Sequence, residues 1–314
     1  VRANYSQPES KILRQNIMRG FYAALDLPLG AVTGVEFRQN RYFDKDRITN
    51  IMINKDRLNE STLFVNAVNV YGRNSLTLGA DMASAQGHSK HICPNIRVAS
   101  DINKYIGVTA GASKNIRYPS PEETIFNGNL LPEKNYRYDA GLVLNLKPAL
   151  LKTHFFTADY KNNIESSSAG GTTLNYNSAE MYRSRGIDAF LQTDFLKIKN
   201  TVAYTYVTSK NRESGKLMAY SPEQKLSYIL NYYGIEKMNL NISLSASGRQ
   251  YTNTENAERI PGYALIDVSL TRKVLSSEIF IGIKNLADKR YRQIDGYPLP
   301  GKVYFAGVSV YFLN

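Results

Sequence analysis

From Met238 onward, side chains alternate with a period of two. Met238, Leu240, Ile242, Leu244 and Ala246 are apolar, whereas Asn239, Asn241, Ser243, Ser245, Ser247 and Arg249 are polar. That period belongs to a β-strand with one apolar and one polar face. Ala264, Ile266, Val268 and Leu270 repeat it, as do Ile279, Ile281 and Ile283, and Ala140, Leu142, Leu144 and Leu146. At the end of the chain Tyr304, Ala306, Val308, Val310 and Phe312 share one face, and Val303, Phe305, Gly307, Ser309 and Tyr311 the other. The runs extend over roughly 10 to 16 residues, against about 5 to 6 in an ordinary globular sheet. A tilted strand needs about 9 to 11 residues to cross a bilayer.

About 15 such strands are expected, beginning near residues 14, 31, 62, 76, 95, 106, 136, 153, 180, 198, 218, 238, 262, 278 and 302. Short connections such as LPLGA, GRNS, DFLK, GIEK and VLSS alternate with long ones such as PSPEETIFNGNLLPEK and SSAGGTTLNYNS. The stretch from Asp44 to Ser61 is expected to be one of the long loops and a candidate lid. Tight turns at one end and long loops at the other are the asymmetry of outer-membrane β-barrels. A propeller or a β-helix would show a repeat of fixed period, and none is visible.

Composition narrows the class further. Hydrophobic residues make up 43% of the 314, and no run approaches the roughly 18 apolar residues of a membrane helix. A helical membrane protein is thereby excluded, but a barrel with half-apolar strands is not. The 23 tyrosines suit a bilayer interface, where an apolar ring with a polar tip is at home; the absence of tryptophan is less usual for such a protein. The single cysteine, Cys93, allows no internal disulfide. The net charge of +12 is scattered along the chain with no dense basic block, which argues against nucleic acid. The chain opens VRANYSQPES, without Met or a basic-then-apolar leader, so a removed signal or an upstream start is expected.

Several stretches, in order, resemble the C-terminal part of the barrel of TonB-dependent outer-membrane receptors. They are IRYPSPEETIFNGNLLPEKNYRYDAGL (Ile116 to Leu142), SRGIDAFLQ (Ser184 to Gln192), YTYVTSKN with YSPEQKLSYILNY, GYALIDVSLTRKV, and IFIGIKNLADKRYRQIDGYPLPGKVYFAGVSVYF. The most specific is Asn-Leu-x-Asp-x-x-Tyr followed by Gly-Tyr-Pro-x-Pro-Gly-Lys-x-Tyr, from Asn285 to Tyr304. The resemblance implies an all-β, antiparallel transmembrane β-barrel. Residues 1–314 would supply about 14–15 strands, numbers 8 to 22 of a larger 22-stranded barrel, with the plug domain absent from the chain. It also implies a closing strand built on Tyr304, Val308, Val310 and Phe312.

No enzyme constellation is visible: His88, His91 and His154 have no nucleophile at a recognisable spacing, and there is no Gly-x-Ser-x-Gly or Walker loop. His88, His91 and Cys93 in HSKHIC are ligand types for zinc or haem iron, but a fourth ligand is absent and a polar loop is the plainer expectation. The interval SPEETIFNG contains no histidine, against haem. Basic residues of lumen parity near the long-loop ends are candidate ligand contacts: Arg117, Arg137, Arg249 and Arg292, with Tyr251 nearby. They would bind an anionic chelate by charge-assisted hydrogen bonds. The competing expectation pairs these charges with Glu122, Glu133, Asp139 and Asp267, with the plug, or with lipopolysaccharide.

The expected function is reception and TonB-energised uptake of a scarce metal chelate, such as a ferric siderophore or cobalamin, at a Gram-negative outer membrane. Cofactors are not expected; iron or cobalt would arrive with the cargo. The implied partners are outer-membrane lipid and lipopolysaccharide, the TonB complex through an N-terminal plug region, and the chelate. The rival expectation is a passive porin-like channel, and a third is a soluble carbohydrate-binding or adhesive β protein.

Overall fold

The computed structural model describes residues 2–5, 12–46, 51–125, 127–169 and 172–311. Strands occur in the order β1 (Arg2–Tyr5), β2 (Ile12–Leu27), β3 (Ala31–Asp46), β4 (Met52–Tyr71), β5 (Asn74–Ala85), β6 (His91–Asp101) and β7 (Ile106–Arg117). A short helix α1 (Pro121–Thr124) precedes β8 (Glu133–Asn145) and β9 (Ala149–Lys161). A loop hairpin of β10 (Ile164–Ala169) and β11 (Thr172–Asn177) leads to β12 (Tyr182–Phe195), β13 (Ile198–Asn211), β14 (Gln224–Tyr232) and β15 (Met238–Ser247). Two-residue β16 (Gln250–Tyr251) and β17 (Arg259–Ile260) come before β18 (Tyr263–Val274) and β19 (Ser277–Lys284). The chain then forms β20 (Tyr291–Ile294), β21 (Tyr297–Leu299) and β22 (Val303–Val310). All but two of the fifteen expected strands begin within four residues of their expected starts.

The chain divides into two compact units. In the first (residues 1–99, 110–138 and 158–181), β1 to β5 follow one another in the sheet, continued by the loop-side parts of β6 to β9. In the second (residues 100–109, 139–157 and 182–314), the turn-side parts of β6 to β9 lead to β12, β13, β14, β15, β18, β19 and β22. Every registered pairing is antiparallel, as consecutive hairpins require.

Register carries the alternation across strands. Leu230, Ile242 and Val268 stand side by side, then Ile283 and Tyr304; the next row is Tyr232, Leu240, Leu270, Ile281 and Ala306. The opposite face carries Asn231, Asn241 and Ser269, and then Gly282 with Phe305. Among the described residues no second layer covers the apolar face. Ile279, Ile281, Val308 and Val310 are exposed, and Tyr304 is 72% exposed. Among the described residues only ten apolar side chains other than proline are buried. A water-soluble chain of this length would bury far more of its apolar surface to offset the entropy of folding. Hydrocarbon, not a protein core, is therefore the solvent for this face.

Among the described residues, the one cluster of buried apolar side chains lies at the loop end of the first unit. There Leu58, Ala83, Ala85 and Tyr118 pack together with Ile116 against them. Tyr118 donates to the Ala83 and Ser89 carbonyls, at 2.9 and 3.1 Å, and Pro119 and Pro121 are fully buried beside it.

The structure corrects two expected loops. Most of the span from Asp44 to Ser61 is strand: β3 runs to Asp46 and β4 begins at Met52, with Tyr42 opposite Asp56 and Asn40 opposite Leu58. Charged residues on both faces made the span look like a loop, but a strand that continues past the bilayer into water needs no apolar face. A lid of that length is thereby removed. Likewise β6 begins at His91, so His91 and Cys93 are strand residues and only His88 lies in the loop. Tyr304, Val308 and Val310 fall in β22 as expected; Phe312 lies outside the described residues.

Candidate ligand site at the loop end

In the second unit the long connections gather around a cavity of about 470 Å³. Its walls include Tyr220, Lys225, Gly248, Gln250, Ile260, Tyr263, Arg292 and Gln293. Tyr220 arrives by a left-handed turn (φ 55°), and its amide donates to the Tyr251 carbonyl at 2.7 Å. Tyr263 opens β18 and packs its ring 4.7 Å from that of Tyr291. Gln293 donates through Nε2 to the Tyr263 hydroxyl at 2.7 Å, and Gln250 donates to the Gln293 carbonyl at 2.6 Å. These bonds tie three loops into one wall. Arg292 pairs with Asp295 at 3.2 Å; both side chains are about half exposed, so the pair is weak and open to exchange for a ligand anion. The walls include Lys225 and Arg292 but no carboxylate. The chemistry offered is two cations, phenol rings and amide donors.

The expected contacts thus divide between the units. Arg292 lines the cavity, Arg249 stands between the lining residues Gly248 and Gln250, and Tyr251 holds Tyr220 by its backbone. Sequence reasoning missed Lys225, Gln250, Tyr263 and Gln293. Lys225 was legible as the last residue of the Pro-x-x-Lys run; the glutamines carried no signal, because their role depends on which loops meet.

Arg117 and Arg137 belong to the first unit. Arg137 is half-buried in β8, on the face opposite exposed Tyr138. The Arg117 guanidinium is engaged: it grips Glu123 at 2.8 and 3.1 Å and also bonds Glu133. Glu123 in turn accepts from the Ser120 amide at 2.7 Å, while Ser120 caps α1 from its side chain. This pairing resembles the competing expectation, with Glu123 added to Glu133. The loop is tied further by Asn127 and Asn175, and by Asn177, which bonds both the amide and the carbonyl of Leu131.

Burial alone would raise the Glu123 carboxyl; Arg117 and the Ser120 hydrogen bonds outweigh it and hold Glu123 below its ordinary value of 4.5. A group depressed in the folded state stabilises above its unfolded value and loses that contribution as pH falls through the folded value. The Ser120 and Glu123 amides should therefore keep constant hydrogen-exchange protection above about pH 5 and lose it at lower pH. Glu123→Gln should remove that acid dependence.

His88, His91 and Cys93 do not converge. Among the described residues no three His, Cys, Asp or Glu side chains are grouped to hold a metal. His88 and His91 lie against the Tyr118 ring, His91 pairs with the Ser89 hydroxyl at 3.0 Å, and Cys93 is buried and free. Burial lowers the His88 imidazole, so it is neutral at physiological pH.

The model of the family described as TonB dependent receptor-like, beta-barrel matches residues 3–286. The chain belongs to that family. Members are receptors and transporters of the outer membrane, and this all-β chain is a fragment of such an outer-membrane barrel. A curated relative, the ferric enterobactin receptor of Pseudomonas aeruginosa, is 24% identical over 228 residues, covering 59% of this chain and 30% of the relative. Among solved structures, that organism's ferric enterobactin receptor PfeA in complex with BCV-L6 superposes with a TM-score of 0.77 at 17% identity, covering 95% of this chain and 54% of the other. The siderophore receptor PirA from Acinetobacter baumannii gives 0.72 at 16%, with coverage of 95% and 54%. The copper transporter OprC gives 0.76 at 16%, with coverage of 96% and 56%. These likenesses show the fold. The chain spans about half the length of those solved structures and less than a third of the curated relative.

Proposed function

We propose that this chain is the C-terminal barrel portion of a receptor for an anionic ferric chelate of the siderophore class. In this reading TonB drives uptake through a plug domain. The carrying observation is the loop-end cavity, which pairs Lys225 and Arg292 with the Tyr220 and Tyr263 walls and no carboxylate. Cations answer the chelate's charge, and aromatic faces answer its flat rings. The curated relative is named a ferric enterobactin receptor, which supports the same ligand class. Arg249 and Tyr251 are assigned as further contacts beside the cavity. Arg137 is assigned to the passage lining, and Arg117 acts by holding its loop. The strands lie among outer-membrane lipid and lipopolysaccharide. Neither cobalamin nor a passive porin-like channel has a specific observation in its favour.

The test uses the full-length receptor, titrated with ferric enterobactin, with cobalamin and with copper(II) alone. Ferric enterobactin should bind, and Lys225→Ala with Arg292→Ala should weaken it on the order of tenfold or more, since each charged hydrogen bond contributes about 1.5–3 kcal/mol. An unchanged affinity in that double variant, or tighter binding of cobalamin or copper, would count against the assignment.

A further inference from the structure

The second unit carries a feature that chelate binding does not use. Its five short turns, at residues 102–105, 146–148, 196–197, 233–237 and 275–276, form one continuous rim. Each turn is hydrogen-bonded to the next strand along. The Asn145 amide donates to the Tyr105 carbonyl (2.8 Å), Asp194 to Pro148 (3.1 Å), Tyr233 to Lys197 (2.8 Å), Lys273 to Lys237 (2.8 Å) and Tyr311 to Ser276 (2.9 Å).

The rim is unusually apolar for turns. Leu146, Leu196, Ile235 and Leu275 point away from the protein, with Leu196 73% and Leu275 92% exposed. Ile102, Tyr105, Phe195 and Tyr233 are exposed beside them. Two of the leucines sit where leucine is disfavoured: φ is 51° at Leu196 and 54° at Leu275, the left-handed region that suits Gly or Asn. At that exposure neither leucine gains burial against the described residues.

A lysine also lies within two residues of each apolar tip: Lys104, Lys147, Lys197 and Lys237 in the turns, and Lys273 near the end of β18. Lys104 lies 4.9 Å over the Tyr105 ring. The carboxylates beside them are Asp101, Asp194, Glu236 and Glu278; Glu236 is paired with Lys237 at 3.8 Å, and Glu278 stands opposite Lys273 in the register. Five cations therefore face four anions.

We infer that this rim binds the phosphate headgroups of anionic glycerophospholipid in the leaflet at the short-turn end. In an outer-membrane barrel that is the periplasmic leaflet. The leucine and isoleucine tips enter the acyl boundary, and the lysines meet phosphate just above it, an arrangement that suits a bilayer surface. A protein partner is the alternative occupant. The inference rests on the membrane reading and is independent of the cargo.

The experiment offers phosphatidylglycerol and phosphatidylcholine to the full-length receptor in detergent and measures retained lipid by native mass spectrometry. Wild type should prefer phosphatidylglycerol about fivefold, since the one lysine in excess of the rim carboxylates is worth roughly that much near an anionic surface. K104Q/K147Q/K197Q/K237Q/K273Q should bring the two lipids within about twofold of each other. L196N/L275N should retain less of both lipids while its thermal unfolding in detergent stays unchanged or rises, because Asn tolerates the left-handed turn. That combination separates lipid anchoring from a purely structural role. Equal retention of both lipids by wild type, or an undiminished preference in the lysine variant, would overturn the inference, as would a periplasmic protein captured on the rim without lipid preference.

Discussion

Ile242→Arg should destabilise the full-length receptor in phospholipid vesicles by about 2–4 kcal/mol, the cost of an arginine facing lipid near mid-bilayer. Ile242 lies near the middle of β15, and its row neighbours are Leu230 and Val268. No polar group stands opposite it, so the guanidinium would have to reach the interface or thin the bilayer. Ser243→Arg, one residue along, should cost far less. Its side chain takes the other face, where the register sets it beside Asp267. Equilibrium unfolding in urea measures both, and equal costs would invalidate the assignment of faces.

The second large effect concerns close packing on the polar face. At Gly282 a Cβ would come within 2.4 Å of the Phe305 ring and 2.8 Å of the Val268 carbonyl oxygen. At Gly307 the nearest atoms it would meet belong to the Phe280 ring, the first at 2.4 Å. The two rings cover neighbouring glycines, with centroids 6.3 Å apart. Gly282→Val and Gly307→Val should each cost about 1–3 kcal/mol, the usual range for overpacking. They differ in rescue. Phe280→Leu should recover most of the Gly307→Val loss, because the nearest obstacle is a side chain. Phe305→Leu should recover only part of the Gly282→Val loss, because the Val268 backbone remains. Unfolding free energies of the four variants and the two pairs decide this, and full rescue in both pairs would contradict the packing described.

Strand positions were legible because the bilayer imposes both a length and a period. The β15, β18 and β19 alternations could be read residue by residue, and their register agrees with that reading. The extension of β3 and β4 was not legible, since beyond the bilayer water accepts polar side chains on either face and the alternation fades. Arg117 was readable as a basic residue at a strand end. Its partner Glu123 was not, because a capped helical turn carries that carboxylate back onto the strand. The cavity was half legible: Arg249, Tyr251 and Arg292 stood out by type and place and Lys225 by its motif, while Gln250 and Gln293 are brought together only where loops meet. The turn rim was hidden for a different reason. Leucine and lysine in short turns look unremarkable in sequence, and only the backbone conformation and the lateral hydrogen bonds reveal a continuous surface.

The central claim is that hydrocarbon bathes the apolar face. Nitroxide labels placed singly along residues 238–247 of the full-length receptor, in a Cys93→Ser background and in bilayers, test it through accessibility to oxygen dissolved in lipid. The account predicts high oxygen accessibility at residues 240, 242 and 244 and low values at 239, 241 and 243. The opposite phase, or no alternation at all, would contradict it.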